Sequence, residues 1–209
     1  MKIKNVIFDK EKLFFTSDTH FFHKNIIKYC DRPFTSVEEM NEQIVENWNS
    51  VVPKDGVVFH LGDVSLTASP KALKSLLDRL NGTKYLIIGN HENDALSKQD
   101  IRETWAGIYD VAEIFIPDDE ITYGEQHIVM CHYPMIVWNG SHRGSWQLFG
   151  HVHGGLSNKG VIKHPVTAMD AGVDSHNYYP ISYQQVKEQI TKQSLEGKAS
   201  EVLPSHERA

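Results

Sequence analysis

An α/β fold built on strands covered on both faces is what this sequence predicts, and three features predict it. The first is Tyr85-Leu86-Ile87-Ile88, apolar throughout, which breaks off into Gly89-Asn90-His91-Glu92. A strand with one wet face alternates apolar and polar residues; a strand buried on both does not. The second is recurrence. Leu13-Phe14-Phe15-Thr16 runs into Ser17-Asp18-Thr19-His20, and Val57-Val58-Phe59-His60-Leu61 runs into Gly62-Asp63. His127-Ile128-Val129-Met130-Cys131 runs into His132, and Gln147-Leu148-Phe149 into Gly150-His151-Val152-His153. The third is an amphipathic helix between the run ending at Asp63 and the run ending at Asn90, a β-α-β spacing that demands a parallel pair. In open α/β sheets ligands collect beyond the carboxyl ends of such strands.

In chain order, residues 3–8 and 13–16 read as two strands joined by the charged turn Asp9–Lys12. Residues 21–29 read as a loop and a short helix stopped near Arg32-Pro33. Ser36 and Glu39 make a capping-box pattern, and Val37, Met40, Ile44, Val45 and Trp48 follow at helical spacing, so 37–49 is a helix. In the next helix Ser69 is the cap, Pro70 the first residue, Leu73, Leu76, Leu77 and Leu80 the apolar stripe, and Asn81-Gly82 the end. Residues 95–106 suggest a short helix, and 111–116, 120–123, 127–131 and 166–171 suggest strands. A long loop over 133–147 carries Trp138, His142, Arg143 and Trp146. A last helix spans about Tyr183 to Gln193. The expected organisation is one domain, 1–195, with a flexible polar tail over 196–209.

The 209 residues suffice for one buried core, with ordinary hydrophobic (40%) and charged (23%) content. The 12 histidines are the compositional anomaly. A formal charge of −6 argues against wrapping nucleic acid by charge alone, although two bound divalent ions would offset four of those charges. Cys30 and Cys131 form no zinc-like pair and no disulfide framework. The N-terminus has no apolar signal core and no run is long enough to span a membrane, so the expected compartment is the cytoplasm.

The strand-end residues Asp18, His20, Asp63, Asn90, His132, His151 and His153 supply two carboxylates, four imidazoles and one amide oxygen. That exceeds the needs of one tetrahedral zinc and suits two divalent ions sharing a bridging carboxylate. Gly62, Gly89 and Gly150 are expected to give the backbone freedom that lets the side chains converge.

These motifs, Asp18-x-His20, Gly62-Asp63, Gly89-Asn90-His91-Glu92, His132 and Gly150-His151-x-His153, stand in the order and approximate spacing of the calcineurin-like metallophosphoesterase superfamily, which the chain resembles over roughly residues 13–175. The likeness is to small bacterial and phage single-domain members whose first motif reads Asp-Thr-His-Phe-x-His. It implies a four-layer α/β/β/α sandwich of two mixed sheets flanked by helices. It implies one metal on Asp18, His20 and His153, another on Asn90, His132 and His151, and Asp63 bridging. His91 would face the substrate phosphate, with Glu92 orienting it or a neighbouring loop. The second motif departs from the common Gly-Asp-x-x-Asp/Asn, reading Gly62-Asp63-Val64-Ser65-Leu66, which removes a supporting side chain and not a ligand.

Two cations about 3.5–4 Å apart lower the pKa of a shared water to near neutrality and offset charge in an in-line displacement. Manganese is the expected metal, with iron, zinc, nickel and cobalt compatible with the same donors. The expected activity is hydrolysis of a phosphodiester, or of a phosphomonoester, in a small nucleotide or nucleic-acid end, with Asp63 and His91 catalytic. His23 and Arg143 are candidates to touch substrate. A polymer nuclease would need a basic or aromatic track, for which Arg143, Lys24, Lys28 and Arg32 are the candidates. A non-catalytic scaffold of the same fold would be expected to lose ligands or His91, and this chain keeps them. His60 inside a strand reads as a packed core histidine, and Trp138, Trp146 and Tyr133 as packing more than base-stacking. His127, His164, His176 and His206 read as surface residues, Asp174 as support for the metal shell, and Cys131 as a buried thiol.

Overall fold

Leu13, Phe15, Phe59 and Ile87 point into one apolar core while Phe14, Val58 and Leu86 point into another, so the strands carrying them show no polar alternation. The structure is a computed structural model describing residues 3, 7–92, 96, 98–155 and 165–201, with side chains described as far as residue 196. Its strands are β1 (Leu13–Thr16), β2 (Val57–His60), β3 (Thr83–Ile87), β4 (Gly107–Tyr109), β5 (Val111–Pro117), β6 (Glu125–Cys131), β7 (Trp146–Phe149), β8 (Ala168–Asp170) and β9 (Ile181–Ser182). One sheet has the order β4-β3-β2-β1-β9 and the other β5-β6-β7-β8. Both are mixed. β9 runs antiparallel to β1 in the first, and β5 antiparallel to β6 in the second, while the remaining pairs are parallel.

Helices α1 (Ile26–Tyr29), α2 (Val37–Val51), α3 (Pro70–Leu77), α4 (Gln99–Arg102) and α5 (Tyr183–Glu201) flank the sheets. The Ser36 side chain caps α2 by accepting the Glu39 N–H, and the Ser69 side chain caps α3 by accepting that of Ala72. Glu39 does not close the reciprocal capping bond; it accepts from the backbone and hydroxyl of Thr35, one residue earlier. Met40, Ile44 and Trp48 of α2 and Leu73, Leu76 and Leu77 of α3 cover the outer face of the first sheet. Full burial of each such side chain stabilises the fold by roughly 1.5–3 kcal/mol. Tyr183, Val186 and Ile190 of α5 join the core between the sheets. On the outer face of the second sheet the loop 133–145 lays Trp138 over Val129, Phe149 and Ala168, and Trp146 is buried in the central core. Both tryptophans therefore pack.

Several local expectations need correction. Among the described residues no strand pairs with β1 as a hairpin partner from the 3–8 segment, since β2 and β9 occupy its two edges; the Ile3 N–H donates instead to Glu113 of β5. Residues 4–6 lie outside the described residues, and Lys10–Lys12 is a 3-10 turn. Residues 120–123 form no strand: β5 pairs with β6 as far as Pro117 opposite Glu125, leaving them as the turn between. Helix α3 ends at Leu77, before Leu80, and α5 continues past Gln193 to Glu201. The short strands β4 and β9 have no periodicity of their own and exist because a neighbouring edge receives them. His127 and His176 are half-buried, the first stacked on Phe115 and the second bonded to the Asp170 carbonyl. His164 and His206 lie outside the described residues.

That turn is tied to α5 through one carboxylate. Buried Asp118 accepts from Lys187 at 2.7 Å, Tyr183 at 2.7 Å, Lys10 at 3.1 Å and the Glu120 N–H at 3.1 Å. Burial pushes its carboxyl up, but the bonds from Lys187, Tyr183 and Lys10 outweigh burial and hold it well below the usual carboxylate range. A depressed folded pKa means the carboxylate stabilises the fold above the ordinary Asp value of about 3.9, with loss only as pH falls toward the depressed folded pKa. Asp118→Asn is expected to reduce stability at neutral pH by roughly 2–3 kcal/mol, a deficit that narrows in acid. An unchanged melting temperature at pH 7 would remove Asp118 from this role.

Candidate metal centre

The parallel pairing of β1 with β2 does not stop where the strands do. Past their ends the N–H groups of Asp18, His20 and Phe21 donate to the carbonyls of Gly62, Asp63 and Val64 at 2.9, 3.0 and 2.8 Å. Two loops thus travel together and bring Asp18 and His20 beside Asp63. The second sheet joins them at the same end: the Val173 N–H donates to the Ser17 carbonyl at 3.0 Å, and Ser17 bridges to Gly172. The His151 N–H donates to the Asp18 carboxylate at 3.0 and 3.1 Å.

The convergence depends on unusual backbone. Asp18, His20, Asp63, His151 and His153 have φ of 55°, 48°, 56°, 71° and 49°, all in the left-handed region. The sequence pattern assigns this freedom to the glycines, but only Gly62, with φ +101°, takes it. Gly89 and Gly150 serve close approach. A Cβ on Gly89 would overlap the Asp63 carboxylate and lie 2.7 Å from Glu92 Oε2, and one on Gly150 would overlap Ser17 Oγ and the Asp18 carboxylate.

Two clusters result: Asp18, His20 and His153 in one, Asp63, His132 and His151 in the other, each with donor atoms close enough to share an ion. Asp63 faces both. Its Oδ2 is 3.6 Å from His20 Nε2 and its Oδ1 is 3.5 Å from His132 Nε2. Asn90 Oδ1 lies 3.1 Å from His132 Nε2 and 3.0 Å from His151 Nδ1. The His132 Nδ1–H donates to the Leu61 carbonyl at 2.8 Å, leaving the Nε2 lone pair for the centre. His153 is held in the same way, Nδ1 at 2.6 Å from Asp174 and Nε2 toward Asp18. His20 Nε2 is buried with no hydrogen-bond partner among the described residues. Such an orphan costs about 1–3 kcal/mol unless an electron-poor partner faces it.

Electrostatics point the same way. Burial pushes the Asp18 carboxyl up to about 7 despite the pull of His153. Burial pushes His20 far below the usual histidine range, with neighbouring His153 adding to it, so this imidazole keeps its lone pair at neutral pH. At His153 burial works downward, but the hydrogen bonds of Asp174 and Cys30 and the charge of Asp18 outweigh it and carry the group up to about 10. Buried carboxylates and imidazoles crowded together are a donor set that suits cations, and the residues fit a metal site.

Residues outside the clusters hold the loops. Arg32 is buried, and its guanidinium bonds both Asp174 oxygens at 2.7 and 2.8 Å, the Asp18 carbonyl at 2.8 Å and the Thr19 carbonyl at 3.0 Å. Asp174 passes this constraint to His153. Glu92 accepts the N–H groups of Val64 and Gly89, both at 2.6 Å, clamping the loops after β2 and β3; burial pushes its carboxyl up to about 8. Asp170 accepts the N–H groups of Gly154 and Gly172. His60 is a core histidine, stacked on Trp48 and 3.0 Å from Thr19 Oγ1, held neutral by burial with a value lowered to about 3.

All seven expected donors therefore come together. His91 sits at the rim, one-third exposed (33%), its Nε2 3.8 Å from Asp63 Oδ2. His23 is buried against His20, with the two Nδ1 atoms 3.4 Å apart. Arg143 is elsewhere: it lines a pocket with Tyr123, Glu125 and His127 at the start of β6, whereas His132 follows the other end of that strand. Arg32 is also unavailable as a surface cation. Its role as a buried clamp leaves no trace in local pattern, since its partner Asp174 is 142 residues away.

A family model described as calcineurin-like phosphoesterase matches residues 11–181. A Methanocaldococcus jannaschii protein is 33% identical over 183 residues, covering 87% of this chain and 92% of its own. The gene 66 protein of Mycobacterium phage L5 is 27% identical over 158 residues, covering 66% and 76%. A crystal structure of an Aquifex aeolicus protein superposes with a TM-score of 0.62 at 24% identity, covering 84% of this chain and 97% of that one, a likeness of fold. No helix among the described residues is long and apolar enough to cross a membrane. With the family model spanning all the strand-end motifs, this chain belongs to the calcineurin-like phosphoesterase family.

Proposed function

We propose that this protein hydrolyses phosphodiesters at a centre of two divalent ions, manganese being the expected pair. The observation that carries the reading is the Asp63 carboxylate, one oxygen turned to each cluster. Asp18, His20 and His153 would hold one ion, Asn90, His132 and His151 the other, with Asp63 shared. When bound, such a pair supplies a nucleophile at neutral pH and charge to offset the phosphoryl oxygens in an in-line displacement. The chain's own residues do the rest. Asp174 and the Leu61 carbonyl fix His153 and His132 so that the other ring nitrogen of each faces inward. His91 stands at the rim, edge-on to His20 at 5.6 Å, where a leaving oxygen would depart. Its ring would donate a proton to that alkoxide. His23, packed against His20 with ring centroids 5.4 Å apart, would hold that ring and border the phosphate.

Metal-stripped protein given Mn²⁺ is expected to cleave a chromogenic phosphodiester and to lose that activity in EDTA; metal-loaded protein inert toward diesters and monoesters alike would refute the reading. His91→Ala should keep both ions and lose about 10²–10⁴-fold in kcat, so near-wild-type turnover removes it as the proton donor. Asp63→Asn should weaken both ions together, and two ions bound at unchanged affinity would defeat the shared-carboxylate assignment. Arg32→Lys cannot span both Asp174 oxygens and the two carbonyls. It is expected to lower metal affinity by roughly 10–100-fold with the far-ultraviolet circular dichroism retained; unaltered affinity would reduce Arg32 to packing.

A further inference from the structure

The segment that leads from the first motif into α1 is basic and aromatic on its outer side. Between Phe21 and Cys30 the chain carries no acidic residue. Ile26 anchors the segment in the core, while Lys24, Asn25, Lys28 and Tyr29 face solvent. Neither lysine has an ion-pair partner among the described residues, in contrast to Lys12 with Asp55, Lys74 with Asp78 and Lys187 with Asp118. Tyr29 is 73% exposed, and its ring stands 6.2 Å from that of His23, which is 5.4 Å from His20. This links an exposed aromatic face, through His23, to His20 of the first cluster, on the same segment that carries the two unpaired lysines. At the other cluster Tyr133 is 46% exposed, its ring 4.8 Å from His151.

A phosphomonoester of small size needs neither feature. A single strand needs both: cations beside the phosphates flanking the cleaved one, and a flat apolar face for a base freed from stacking. We infer that the Lys24–Lys28–Tyr29 surface is a platform for single-stranded nucleic acid, seating the nucleotides on the His20 side of the cleaved diester. Lys24 and Lys28 neutralise backbone phosphates, and Tyr29 stacks one base. Duplex is disfavoured because its bases offer no free face to Tyr29, and the overall charge of −6 leaves affinity to this local patch. The inference rests on the phosphodiesterase reading and narrows its substrate.

The test compares two substrates of the manganese-loaded full chain: decathymidylate, and methyl p-nitrophenyl phosphate, a diester too small to reach the platform. Tyr29→Ala is expected to lower kcat/KM on decathymidylate by roughly ten-fold. The Lys24→Ala/Lys28→Ala double variant should flatten the log–log salt dependence of oligonucleotide cleavage by about 1.4, or ~0.7 per phosphate contact. Both variants should cleave the small diester as the parent does. Equal losses on both substrates, no loss on the oligonucleotide, or preference for a duplex decamer would overturn the platform. So would a parent that cleaves the small diester and ignores the oligonucleotide, which leaves the phosphodiesterase reading standing. A parent inert to both substrates removes that reading and the platform with it.

Discussion

Left-handed backbone at five of the seven candidate donor residues is the constraint on which the rest of this structure depends. Each such non-glycine residue costs on the order of 1–2 kcal/mol relative to ordinary backbone. The loops keep it because neighbouring bonds over-determine them. The continued β1–β2 pairing fixes Asp18, His20 and Asp63, the Asp18 carboxylate holds the His151 N–H, and Asp170 holds that of Gly154. Without the two sheets behind them these turns would relax, and the donors would point apart.

Charge is arranged around the same loops. Arg32 sits among Asp174 and the carbonyls of Asp18 and Thr19, placing a fixed positive charge behind the first cluster and not in it. Asp174 is thereby kept ionised, its carboxyl held down by His153 and Arg32 against the upward push of burial. Asp18 in front is left with its carboxyl pushed up to about 7 by burial, the signature of a buried anion short of positive charge.

The two sheets divide the centre between them. The first supplies Asp18, His20, Asp63, Asn90 and His91 from the ends of β1, β2 and β3, and the second supplies His132, His151 and His153 from β6 and β7. Each cluster draws on both sheets, since Asp18 and His20 meet His153 while Asp63 meets His132 and His151. Packing between the sheets is therefore also what sets donor spacing.

Much of this was legible in order of residues alone. Apolar runs ending in Asp, Asn or His mark strands and their donors because burial on both faces and a polar terminus are local facts. Ser36 and Ser69 mark helix starts for the same reason: a cap bonds three residues away. Tertiary structure decided what depends on distant partners. Residues 120–123 look like a strand until the pairing of Pro117 with Glu125 makes them a turn, and Arg32 looks like a surface cation until Asp174 claims it. Arg143, sited in the loop before the last motif, ends up at the far end of β6 because a parallel β7 must begin there. Sequence by itself determined the candidate donor set and the strand ends that carry it, for these follow from short-range chemistry. Only the folded chain decided which side chains support them and which surface remains free for substrate, because burial and charge pairing belong to contacts that the linear order does not contain.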